Sequence, residues 1–181
     1  LSERPFPADA AWAFLLDFYR RNGISEACLL LQDEAGLDVV EMLMLIYADI
    51  ALGKPLTDKE IATLRAGMSG WRQDAVLPLR SIRRALKPAR QDIAESAKEQ
   101  LRADIKKAEL MAERLQVDFA AYWLEENATG AGPTSNETLT GLVPADSRNG
   151  AVERALAYII AVAEVVRAGR DGPTPQPAAP A

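Results

Sequence analysis

Apolar residues recur every three or four positions along most of the chain, and glycine or proline interrupts them at intervals that suit helices. Asp9 opens the first run, whose apolar side is Trp12, Leu15, Leu16 and Tyr19. The basic pair Arg20 and Arg21, followed by Gly23, closes it. Ser25 opens a short helix that carries Cys28 to Leu31 and stops at Gly36. Asp38 opens a third, with Val40, Leu43, Ile46, Tyr47 and Ile50 on one side and Gly53 at its end. Asp38 and Glu41 have the spacing of a cap and its reciprocal partner. Thr57 and Glu60 form another such box, and the helix it starts ends near Gly70.

Residues 71–87 keep an apolar stripe at Val76, Leu79, Ile82 and Leu86, which predicts one helix, kinked or restarted at Pro78 and stopped by Pro88. Neither Gly nor Pro occurs from about Asp92 to Glu126. There Leu101, Ile105, Ala108, Ala112, Leu115, Phe119 and Tyr122 follow one another in steps of four and three, a heptad-like seam. A continuous helix over 92–126 would be roughly 52 Å long, so part of it is expected to project from the body or to pack on another subunit. Residues 127–149 are rich in Gly, Pro, Ser, Thr and Asn and read as a long polar loop. An apolar helix over 150–169 follows, packed on the domain or on a partner subunit, and a Pro-rich tail over 170–181 reads as disordered. The predicted architecture is all-α: a compact bundle of about seven helices, one of them long (about 92–126), with a helical domain over 6–126 followed by the loop, the C-terminal helix and the tail.

Composition narrows the chemistry. The chain has 181 residues, 49% of them apolar, enough for one self-sufficient core without a metal or disulfide staple. It has no histidine, which removes the commonest general base and zinc ligand. Its one cysteine, Cys28, lies in an apolar run with nothing to activate it and reads as packing. No cofactor or metal is expected, and no catalytic residue is assigned. The carboxylates Asp33, Glu34, Asp38 and Glu41 crowd one stretch, but capping accounts for two of them. Asp33 and Glu34 sit near a helix C-terminus, where negative charge calls for a cationic neighbour. Asp49 shares a helical line with Met42 and Leu45 and reads as a boundary position that meets a basic side chain. No phosphate-cradling glycine motif occurs. The start of the chain lacks the basic and apolar regions of a secretion signal, and the apolar segment 151–166 is too short and too charged to span a membrane, so a cytoplasmic protein is expected.

Charge supplies the sharpest feature. Residues 1–70, 71–107 and 108–181 carry net charges of -5, +5 and -5, a basic element between acidic ones. The basic side chains Arg72, Arg80, Arg83, Arg84, Lys87 and Arg90 face one acid, Asp74, in the same stretch. At helical spacing, Arg80, Arg83, Arg84 and Lys87 form a band beside the apolar stripe. Such a band can pair internally, with Asp33 and its neighbours, or hold an anion or an acidic partner. Nucleic acid is disfavoured by the overall charge of -5.

The stretch from Trp12 to Thr57 and the series Trp71-Arg72, Pro78-Leu79-Arg80 and Arg83-Arg84 resemble a bacterial family of small uncharacterised proteins known only as a domain of unknown function. The shared marks include Trp12, Tyr19, the run Ala27-Cys28 through Leu31-Gln32-Asp33, Gly36 and Asp38, over roughly residues 9–125. The resemblance implies a bacterial source and a standalone cytoplasmic protein, and carries no activity. On this reading the protein is a non-enzymatic helical binding or scaffold protein that acts through self-association or a protein partner. The other reading is a helical pocket for a small anionic or acyl-type ligand, with carboxylate acid/base chemistry. The candidate ligand- or partner-binding residues are Asp33, Arg72, Arg80, Arg83, Arg84 and Lys87.

Overall fold

A computed structural model describes residues 7–171. The regular elements among them are all helical: α1 (Pro7–Tyr19), α2 (Ile24–Ala35), α3 (Val39–Ile46), α4 (Asp58–Trp71), α5 (Leu77–Ala85), α6 (Glu95–Asn127), α7 (Ser135–Leu142) and α8 (Gly150–Asp171). The all-α expectation holds, as does the single long helix. A wide π turn, Tyr47–Ala51, extends α3, and a second, Arg72–Val76, joins α4 to α5 in one rod. Pro78 falls just after this π turn, at the second residue of α5, and the chain stays helical through it.

The helix ends follow local chemistry. Gly23, Gly36 and Gly53 all take positive φ, between 64° and 77°, where a side chain would be strained. Asp38 caps α3 by accepting from the Val40 N–H at 3.0 Å, and the Thr57–Glu60 box opens α4. Glu41 is not the reciprocal partner of Asp38. It is buried, and its carboxylate accepts from Arg65 Nε and Nη2 at 3.0 and 2.6 Å, a partner 24 residues away that no local spacing could indicate.

The segment 127–149 departs from the expected loop. A second box, Thr134 with Glu137, opens α7, and Leu139 anchors that helix in the core. Asp49 explains why α7 docks where it does. Buried in the turn after α3, its carboxylate accepts from the Ser135 N–H at 2.5 Å and from both terminal nitrogens of Arg167 in α8 at 3.0 and 2.7 Å. One charge thus holds the starts or ends of three elements, the basic neighbour its position called for.

The main core is built from α1, α2, α3, α4 as far as Met68, the second half of α6, α7 and α8. α1 lies along α6, and α8 lies along α2, where Ile24, Cys28 and Leu31 form the buried stripe. Each fully buried side chain of this size contributes about 1.5–3 kcal/mol. None of residues 69–116 belongs to that core. α5 and the first half of α6 instead form a helical hairpin that leaves the body, as the length of α6 requires: its 33 residues span about 50 Å, against about 40 Å for a compact chain of this size. Of the Pro-rich tail, residues 172–181 lie outside the described residues.

Candidate functional site

The hairpin is held by charge. α5 has no fully buried residue, so apolar packing alone does not fix it to α6. Arg80 Nε donates to Glu109 Oε1 at 2.8 Å, and its Nη2 donates to Glu113 Oε1 at 2.5 Å. Arg83 grips the same Glu109 through Nε to Oε2 and through Nη2 to Oε1 at 3.2 Å. Farther along α5, Arg84 pairs with Asp33 of α2. The turn of the hairpin has its own pin: Lys98, almost wholly buried, donates to the Pro88 carbonyl at 2.9 Å and pairs with Glu95 at 2.9 Å.

Glu109 and Glu113, one turn apart and sharing Arg80, differ in their acid strength. Burial pushes Glu109 up, but hydrogen bonds from Arg83 and Arg80 overcome it and hold the carboxyl below the usual glutamate range. Burial also pushes Glu113 up, and there the single arginine does not reverse it, with the Glu109 charge adding to the rise. Asp33 is lowered by its bond from Arg84, although the pair is half exposed.

Between this ladder and the body lies a groove of about 390 Å³. Its apolar wall comes from α1, α2 and α3, with Trp12, Leu16, Tyr19 and Leu43 prominent, and its polar end is Arg80, Arg83, Lys106, Glu109 and Glu113. Arg114 stands over the Trp12 ring at 5.2 Å and pairs with Asp9 and Asp118, which orients that wall.

The other side of α6 is different in kind. Met111, Leu115, Phe119 and Tyr122 are all exposed, Met111 by 62% and Leu115 by 46%, and Trp71 of α4 stands beside them at 42%. The predicted seam therefore divides: Ala112 turns inward while Leu101, Leu115, Phe119 and Tyr122 face out. A hollow of about 260 Å³ opens among Gly67, Met68, Trp71, Leu115, Gln116 and Phe119. Phe119 lies so close to Gly67 that a Cβ there would meet its Cζ at 2.6 Å. At the hollow's base Gln116 is buried, its amide nitrogen donating to Asp38 Oδ2 at 2.8 Å and its carbonyl oxygen without a partner.

Of the residues singled out in the sequence, Asp33, Arg80, Arg83 and Arg84 belong to the ladder. Arg72 stands apart, 2.7 Å from Asp38. Lys87 is exposed just past the end of α5 and makes no ion pair among the described residues. Glu109, Glu113, Lys106 and Gln116 were missed. Two acids four residues apart, facing a basic helix across a proline turn, are the signal that could have found the first two.

A family model described as a protein of unknown function covers residues 10–119, well over half the chain. The chain belongs to that family, DUF2390. The DUF2390 match takes in α1 to α5 and α6 as far as Phe119, so it contains the whole ladder and both sides of the groove, and leaves out α7 and α8. No curated protein and no solved structure matches the chain. Among the described residues no helix is long and apolar enough to cross a membrane, and no cluster of three or more acidic or cysteine side chains could hold a metal ion.

Proposed function

We propose that this protein is a non-enzymatic helical binding protein whose working surface is the outward face of α6, and that the face pairs with a second copy of the chain. One observation carries the reading. The exposed positions Ala108, Met111, Leu115, Phe119 and Tyr122 are spaced symmetrically about Leu115, at four and seven residues to either side. In an antiparallel pair of α6 helices a two-fold axis through Leu115 sets Leu115 on Leu115, Met111 on Phe119 and Ala108 on Tyr122. A two-fold interface needs such self-complementarity, because both copies present one patch. The hollow beside Phe119 offers a seat for a side chain of the partner, in the manner of aromatic anchors at interface centres. The absence of histidine and the burial of Cys28, its thiol pushed up to about 12, leave little for a nucleophilic mechanism and favour binding over catalysis.

The row spans about 21 Å of helix, so the dimer belongs at the small, reversible end of the interface range. Sedimentation equilibrium from micromolar to hundreds of micromolar should give a mass rising from 19.7 kDa towards twice that value. Leu115→Glu places two carboxylates at the axis and should hold the protein monomeric while its melting temperature stays put. A wild type that remains monomeric throughout, or a Leu115→Glu protein that still dimerises, refutes the proposal.

A further inference from the structure

The groove between α1 and the hairpin lies on the opposite side of α6 from the proposed pairing face. At roughly 100° per residue, Lys106, Glu109, Leu110 and Glu113 cluster on one side, and Ala108, Met111, Leu115, Phe119 and Tyr122 point the other way. It is therefore a separate surface, and pairing through Leu115 neither fills it nor depends on it. Its volume of about 390 Å³ is within the range of small-molecule sites.

Its chemistry is two-ended. Three cations, Arg80, Arg83 and Lys106, stand at the polar end with two carboxylates, Glu109 and Glu113, an excess of one positive charge. The arginines are engaged by the glutamates, whereas Lys106 is exposed and makes no ion pair among the described residues. The rest of the wall is apolar and aromatic. A ligand that satisfies both ends carries one negative charge on an apolar body. A dianion such as a phosphate monoester would exceed the excess charge, and a cation would meet it with the wrong sign. At about 30 Å³ per water-sized group the space holds roughly a dozen non-hydrogen atoms.

We infer that this groove binds a free medium-chain carboxylate, an acyl chain of roughly eight to ten carbons with its head at Lys106 and Arg83 and its chain along Trp12, Leu16 and Leu43. Glu109 and Glu113 are held by Arg80 and Arg83, which leaves the exposed Lys106 as the charge that meets the arriving head.

Calorimetric titration of the full chain with decanoate, below its micelle concentration, tests this. One site per chain is expected, with decyltrimethylammonium and 1-decanol each at least about tenfold weaker, a difference of about 1.4 kcal/mol. Lys106→Glu reverses the exposed charge and should weaken decanoate by roughly tenfold or more without lowering the melting temperature. Leu29→Trp, at a half-exposed position on the wall, adds bulk without entering the core and should abolish saturable binding. No saturable binding by the wild type, equal affinity for the three amphiphiles, or decanoate binding unaltered by both variants overturns the inference. Repeating the titration on Leu115→Glu separates it from dimer formation: the site should survive in the monomer.

Discussion

Glu109→Gln and Glu113→Gln, two nearly isosteric changes four residues apart, should have unlike consequences. Glu109 is 7% exposed and receives three hydrogen bonds from two arginines, one of which, Arg80, is 11% exposed. Charge-assisted bonds contribute about 1.5–3 kcal/mol each, and breaking a fully buried pair costs about 3–5 kcal/mol. Arg83 is a quarter exposed and can turn to water, and the glutamine oxygen keeps one acceptor, so the loss should be about 2–3 kcal/mol, below the fully buried figure. Glu113 receives one such bond, from a guanidinium that Glu109 also holds, and its burial already opposes ionisation. Replacing it should cost less than about 0.5 kcal/mol or stabilise slightly. Since α5 buries no residue fully, the Glu109 loss should appear as local opening of the hairpin. Amide exchange across residues 77–87 should accelerate by about 30- to 150-fold in Glu109→Gln, with α2, α3 and α8 unaltered.

The pH dependence carries opposite signs at the two sites. Glu109 is lowered in the folded state, so its contribution is complete above the ordinary glutamate value, about 4.3, and is lost as pH falls through the folded value. Glu113 is raised, so its contribution is present below that ordinary value and is lost as pH rises through its folded one. In the wild type the hairpin should open only as pH falls below the ordinary glutamate value, about 4.3, and Glu109→Gln should remove most of that response. An uphill cost for Glu113→Gln equal to that of Glu109→Gln, or exchange that rises equally in hairpin and core, would refute the assignment of Glu109 as the principal tie.

Two further outcomes follow from the core and its connections. A Cβ on Gly132 would lie 2.0 Å from the Leu56 carbonyl oxygen, and the Gly132 N–H donates to the Pro55 carbonyl at 3.0 Å, so backbone must move. Gly132→Ala should cost about 2–3 kcal/mol in urea denaturation, while Gly141→Ala, inside α7 with open space around it, should gain up to about 1 kcal/mol; equal effects would discredit the contact. Cys28 is fully buried and its thiol is pushed up to about 12 by desolvation, so a disulfide-exchange reagent should label it only after unfolding. Stoichiometric labelling of the native protein within minutes would show that α2 opens far more readily than its packing implies.

What could be read from the sequence was what neighbours in sequence decide. Gly23, Gly36 and Gly53 need positive φ, Asp38 and Thr57 sit one residue ahead of a helical run, and Pro88 cannot continue one, so each of these ends was legible from a few residues. The errors share a cause. Asp38 with Glu41 has the spacing of a reciprocal cap, yet Arg65 offered Glu41 a cation that donates through two nitrogens, and that ion pair prevails over a single backbone N–H. α7 was hidden because its box, Thr134 with Glu137, precedes a helix with few apolar anchors, so the composition of a loop outweighed the cap. Contacts distant in sequence, such as Asp49 at its start and the core beneath Leu139, hold that short helix in place.

The charge pattern shows where reading by segment stops being sufficient. A division at residue 107 separates a basic stretch from an acidic one, but that boundary falls within α6, so the helix itself is basic towards its start and acidic beyond its middle. A hairpin that folds α5 back along such a helix must bring Arg80 and Arg83 to the first acids past the boundary, Glu109 and Glu113, because those are the nearest carboxylates facing them. The candidate arginines were thus legible as a group and their partners were not, since pairing depends on the turn at Pro88 and on which face of α6 meets α5. The same geometry decides what remains for a ligand. With two guanidiniums committed to two carboxylates, selectivity at the groove passes to Lys106, which no motif marks. A binding site of this kind is written in the residue left over after internal pairing, and that residue can be named only once the pairs are known.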